Sequence, residues 1–218
     1  TINGIKVGIF GMTITDPMNS PSPVIVRDDL LPIAQQIIAD LQGDGADVII
    51  MLSHLGVTYD QLIASNVSGI DFIVGGHDHY VFDQPVVIMN PSNKPTRIVQ
   101  AGESYKYVGK LKFTFNSGNI TFNNYEVIPV DASVPAGSEI QDVIEYLKSG
   151  IEEQYGDVYH TVLGTAVNEL YKDVNPTSPF KDTPLGNLIT DAYRNKTNTQ
   201  IGITANGLIS EKIYQGAI

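Results

Sequence analysis

The sequence predicts an α/β fold with parallel strands, and three observations predict it. Apolar runs at residues 5–12, 46–53 and 70–74 have strand length and end in Gly, Ser or Thr. Segments with helical patterning separate them. The resulting strand, helix, strand, helix, strand order requires right-handed crossovers, which place the three strands parallel in one sheet.

Each element has a local reason. Residues 5–12 are mostly apolar and lead into a Pro/Ser-rich loop at 16–23. Asp28 or Asp29 is expected to cap a helix reaching about residue 41, because Leu30, Ile33, Ala34, Ile37, Ile38 and Leu41 recur at helical spacing. Gly43-Asp-Gly ends it, and 46–53 follows as a nearly continuous apolar run, the pattern of a strand covered on both sides. A short helix is expected near 59–65, then a buried strand at 70–74 broken by Gly75-Gly76.

After Pro85 the expected pieces are antiparallel: 86–89, 96–102, 107–116 and 119–130, the last two joined by a Ser117-Gly118 hairpin turn. They are expected to complete or flank a sandwich. A helix with Ser138 as its cap runs to about Tyr155, where Gly156 breaks it. Beyond it, 160–167 reads as strand, 175–184 as loop, 185–193 as helix and 200–204 as a short strand entering Asn206-Gly207. The organisation expected is a first domain over 1–135, a connecting helix over 136–157 and an incomplete second domain over 158–218.

Composition narrows the function. The 218 residues carry 13 Lys+Arg against 24 Asp+Glu, a formal net charge of -11 with no basic stripe, which disfavours a DNA or RNA polymer as partner. With no Cys there is no disulfide, thiolate metal site or Cys nucleophile. No run approaches the roughly 18 apolar residues of a membrane span. Without an initiator Met or leader, Thr1 is expected to be a cut end. Three Asn-x-Ser/Thr sequons, at Asn66, Asn119 and Asn195, are too short a pattern to carry weight.

The chemistry lies with the histidines. His54 ends one predicted parallel strand, while His77 and His79 follow the next, so all three are expected at the carboxyl rim where open α/β sheets bind ligands. Alternation in extended chain would let His77 and His79 point together, with Asp78 turned away to solvent or to an outer contact. Gly75-Gly76 would leave room for an ion. The competing reading is a strand-end histidine beside a polar surface turn; convergence of the three favours metal. His160, beyond the connecting helix, reads as an ordinary histidine. Three neutral imidazoles leave two divalent cations almost uncompensated, so carboxylates must come from elsewhere.

Val48-Ile-Ile-Met-Leu-Ser-His-Leu-Gly56 and Gly69-Ile-Asp-Phe-Ile-Val-Gly-Gly-His-Asp-His79 resemble the second half of the metallophosphoesterase domain of the 5'-nucleotidase and 2',3'-cyclic-nucleotide phosphodiesterase family. Thr183-Pro-Leu-Gly-Asn-Leu-Ile-Thr-Asp-Ala-Tyr-Arg194 and Ile203-Thr-Ala-Asn-Gly-Leu-Ile-Ser210 resemble the opening of that family's C-terminal domain. The resemblance begins near Gly4 and runs through the chain. It implies the C-terminal half of an αββα sandwich followed by the start of an α/β nucleotidase domain, as an internal piece of a longer protein.

It further implies two divalent cations (Zn, Mn, Fe or similar). His54 and His77 would serve one ion and His79 the other. The family's Asp-x-His pair, bridging Asp and Asn-His element have no counterpart in this chain. The implied reaction is in-line attack on phosphorus by cation-activated water, on a nucleotide or similar phosphate ester, outside the cytoplasm. Asn206 and Gly207 match a substrate turn, but Ser210 stands where the family commonly has Arg and Lys181 where Arg is frequent, which bears on specificity. Asn187, Asp191 and Arg194 read as local helix contacts. The alternatives are a binding or scaffold relative without chemistry, and a hydrolase of another ester such as a carrier-bound sulfur compound.

Overall fold

The structure, a computed structural model, describes residues 1–14, 27–173, 182–205, 208–209 and 211–217. The predicted loop at 16–23 and most of that at 175–184 lie outside the described residues, as do Lys181, Asn206, Gly207 and Ser210. The chain divides into two compact units, Thr1–Pro135 and Ala136–Ile218.

In the first unit the parallel core is β1 (Val7–Thr13), β2 (Val48–His54) and β3 (Phe72–Val74), connected by helices α1 (Leu30–Gly43) and α2 (Val57–Asn66). Two further strands, β4 (Val86–Met89) and β5 (Pro95–Val99), complete a five-stranded sheet of order β1-β2-β3-β5-β4, in which only β4 runs antiparallel. The fold is α/β. In register, Phe10, Met51, Ile73 and Ile98 line up across four strands and share a buried core with Ala34 and Ile38 of α1 and Ile63 and Ala64 of α2.

The hairpin of β6 (Tyr107–Asn116) and β7 (Asn119–Pro129) forms its own two-stranded sheet. Its turn residues Ser117 and Gly118 have φ of 48° and 82°, the paired positive values of a type I′ hairpin loop. The hairpin meets the sheet at Phe113, whose ring lies 4.8 Å from that of Phe72, and at Phe122, which sits under the Arg97 guanidinium. Along β1 and β2, Ile9 and Leu52 remain about half exposed.

The second unit has less buried surface. Helix α3 (Ser138–Tyr155) forms over the predicted span, but Gly137 occupies the cap position, Ser138 lies inside the helix, and no side chain of α3 is buried. Asp29 likewise makes no cap bond to α1: its carboxylate pairs with Arg27 instead. Residues 160–167 are not a continuous strand. A turn runs through His160, and pairing is confined to β8 (Thr165–Ala166) with β9 (Gly216–Ala217). Residues 200–204 are irregular rather than strand. Helix α4 (Pro184–Thr197) starts as its sequence dictates, with Thr183 Oγ1 accepting from the Gly186 N–H at 3.1 Å and Pro184 at the first helical position.

Candidate metal centre

The crossovers deliver His54, from the end of β2, and His77, from the segment after β3, to the same rim. Their rings meet edge to face with centroids 5.3 Å apart. Both side chains are exposed, and neither ring makes a hydrogen bond among the described residues. A concavity of about 520 Å³ opens beside them, lined by Met12 and Thr13 of β1, Leu52 and His54 of β2, and Val74 and Gly75. A second cavity, about 350 Å³, lies near the opposite ends of the parallel strands among Asp47, Asp71, Lys94 and Arg97, away from the histidines.

His79 behaves differently from the expectation. His77 and His79 have φ of 79° and 60°, so the chain turns there and strand alternation does not govern where their side chains point. His79 Nδ1 lies 2.9 Å from the carboxylate of Glu103, and the three histidines do not gather into one ligand cluster. With Nδ1–H donated to Glu103, Nε2 carries the lone pair, the arrangement by which an outer carboxylate orients a ligating imidazole. Glu103 had no signal in sequence: it lies 24 residues downstream in an irregular turn.

Asp78 turns from its flanking histidines to the start of α2, where its carboxylate accepts the Val57 N–H at 2.5 Å. A helix N-terminus favours a negative group there. The glycines allow close approach of the chain itself. A Cβ at Gly76 would lie 3.0 Å from the Ser53 carbonyl and 3.3 Å from His54 Nδ1; one at Gly75 would lie 2.8 Å from Asp60 Oδ2. The two histidine-bearing segments touch through bare backbone.

Beneath the rim sits a buried polar layer that sequence reading missed. Asp60, in the first turn of α2, is wholly buried; it accepts from the Ser53 hydroxyl, which in turn accepts the Leu55 N–H at 3.1 Å. Desolvation pushes its carboxyl up to about 6; the Ser53 bond opposes the shift and the nearby Asp78 charge adds to it. An aspartate among apolar helix positions six residues after His54 was the available signal.

His160 joins Glu152 and Asp157 in a small surface cluster in the second unit, with Nδ1 2.7 Å from Asp157. Nothing in its sequence surroundings distinguishes it from an ordinary histidine. The substrate turn expected at Asn206 and Gly207 lies outside the described residues. Of the helix contacts expected in α4, Arg194 pairs with Asp191 at 2.8 Å.

Residues 162–218 match the family model described as 5'-nucleotidase, C-terminal domain. Over the whole chain there is 30% identity to the trifunctional nucleotide phosphoesterase protein YfkN of Bacillus subtilis, and over 88% of it 30% identity to the 5'-nucleotidase of Diplobatis ommata. Along its length the chain is similar to 5'-nucleotidases and nucleotide phosphoesterases, and residues 162–218 match the family's C-terminal domain. The solved 5'-nucleotidase precursor of Thermus thermophilus superposes on 99% of the chain with a TM-score of 0.83 at 28% identity. The chain spans 15% and 35% of the two curated relatives and 45% of that solved chain. Among the described residues no helix is long and apolar enough to cross a membrane.

Proposed function

We propose that this chain forms part of a metal-dependent phosphoesterase acting on nucleotides, with His54 and His77 serving one divalent cation and His79 a second. The observation that carries this reading is the meeting of the His54 and His77 rings at the carboxyl rim of the sheet, beside an open concavity. Two exposed imidazoles with unengaged nitrogens suit a borderline divalent ion, and Glu103 presents the third imidazole in a defined tautomer. Bound there, such cations would lower the pKa of water towards about 7 and neutralise phosphoryl oxygens.

The protein's own contributions are placement and exclusion. Gly75 and Gly76 keep the two segments in contact, and Asp78 ties the second segment to the start of α2. Residues 1–135 constitute the metal-bearing domain, 136–157 a connecting helix and 158–218 the start of the nucleotide-binding domain, with Asn206 and Gly207 as its substrate-binding residues. The remaining ligands and the proton donor are supplied from outside these 218 residues, because three neutral imidazoles cannot offset two dications. The protein works outside the cytoplasm, in keeping with relatives such as snake venom 5'-nucleotidase.

The test is hydrolysis of a 5'-nucleoside monophosphate and a 2',3'-cyclic nucleotide with Mn²⁺ or Zn²⁺. The 218-residue chain alone is expected to stay at the blank rate. The chain within a polypeptide that supplies the family's first-half ligands is expected to turn over, and His77→Ala to abolish that turnover. Efficient hydrolysis by the isolated chain, or full activity in His77→Ala, contradicts the reading.

A further inference from the structure

The buried layer under the rim contains an acceptor without a partner and a donor aimed at the same place. Asp60 Oδ2 is buried and makes no hydrogen bond among the described residues. Gln100, 2% exposed just after β5, satisfies its surroundings when its amide oxygen accepts the N–H groups of His79 and Tyr80 at 3.0 and 3.1 Å. That orientation turns its NH₂ towards Gly75. A Cβ at Gly75 would lie 2.8 Å from Asp60 Oδ2 and 3.3 Å from this end of the Gln100 amide, so both groups converge on the space that glycine leaves open.

We propose that Asp60 and Gln100 join across Gly75 and together hold the two histidine-bearing segments in register, making them positioning residues for the cation site. Asp60 grips the His54 segment through Ser53, whose hydroxyl also takes the Leu55 N–H. Gln100 grips the His79 segment through two backbone N–H groups. The link closes a path from α2 through β5 to both segments, and it satisfies a buried carboxylate oxygen that would otherwise carry a full desolvation penalty. Neither residue needs to touch the ion. The inference rests on the cation site proposed above.

The donor and acceptor roles can be exchanged, which gives a specific test. Asp60→Asn alone sets two NH₂ groups against each other, and Gln100→Glu alone sets two carboxylates against each other. The double variant restores every bond with the polarity reversed, since the amide oxygen still accepts from Ser53 and the carboxylate still accepts from His79 and Tyr80. In the 218-residue chain, Zn²⁺ or Mn²⁺ affinity is read by calorimetry and the histidine ring signals by NMR. Each single variant is expected to weaken the cation by about 10-fold or more, as for other outer-shell partners, and the double variant to recover most of that loss with wild-type ring signals.

Singles that bind like the wild type, or a double no better than the weaker single, overturn the inference. Should a single variant fail to fold, a double that folds and binds supports it, and a double that also fails overturns it. If the isolated wild-type chain binds no cation at these histidines, the functional reading is tested by the turnover assay above instead. The Asp60–Gln100 link is then judged by thermal unfolding: recovery in the double supports it, and additive losses refute it.

Discussion

The rings of His54 and His77 lie edge to face at an interplanar angle of 73°, although 23 positions separate them in the chain. What permits the contact is Gly76, whose bare Cα faces the Ser53 carbonyl and the His54 ring. Gly76→Ala is therefore expected to force the segments apart. A loss of about 1–3 kcal/mol is the usual consequence of such overpacking. Thermal unfolding measures it, and NMR contacts between the two imidazoles should vanish in the same variant. An unchanged melting temperature with the ring contact intact would refute the close approach.

Asp78 is expected to contribute to stability through α2 rather than as a ligand. Its carboxylate takes the Val57 N–H at the helix start, so Asp78→Ala should cost about 1 kcal/mol and Asp78→Asn less, because the amide oxygen keeps the acceptor. Denaturant midpoints at low ionic strength check this. Equal losses in the two variants would show that the charge, rather than the acceptor, carries the effect.

Asp60 predicts a pH dependence. Its carboxyl sits at about 6 in the fold, against 3.8 for the unperturbed group, chiefly because burial penalises the charge. Between about pH 4 and pH 6 the native chain holds a proton that the unfolded chain has released. Stability should therefore fall as pH rises through that window, by on the order of 3 kcal/mol, and level off above it. A donating Gln100 amide narrows the window from above. Subtracting the profile of Asp60→Asn isolates this contribution from that of the histidines; parallel profiles would contradict it.

The first unit was readable wherever burial leaves a mark on sequence. Strand β2 is apolar almost throughout, with Ile49 and Met51 packed in one core with α1 and α2 and Val48 buried as well, and the Ser117-Gly118 turn takes two positive φ values. Helix α3 follows its apolar spacing even though none of its side chains is buried. Reading failed where contacts are long-range and polar. Nothing local links Asp60 to Gln100, or His79 to Glu103, and the turn at His77 to His79 departs from the extended chain on which strand alternation depends. In the second unit, a two-residue pairing of β8 with distant β9 is too short to impose alternation on residues 160–167.

The central claim is that cations settle at the rim formed by β2 and β3. The direct measurement is anomalous diffraction from crystals of this chain grown with Zn²⁺ or Co²⁺, recorded on both sides of the metal edge. A peak within coordination distance of His54 and His77, with any second peak at His79, is the predicted result. Density confined to the Glu152, Asp157 and His160 cluster, with none at the rim, would contradict the account.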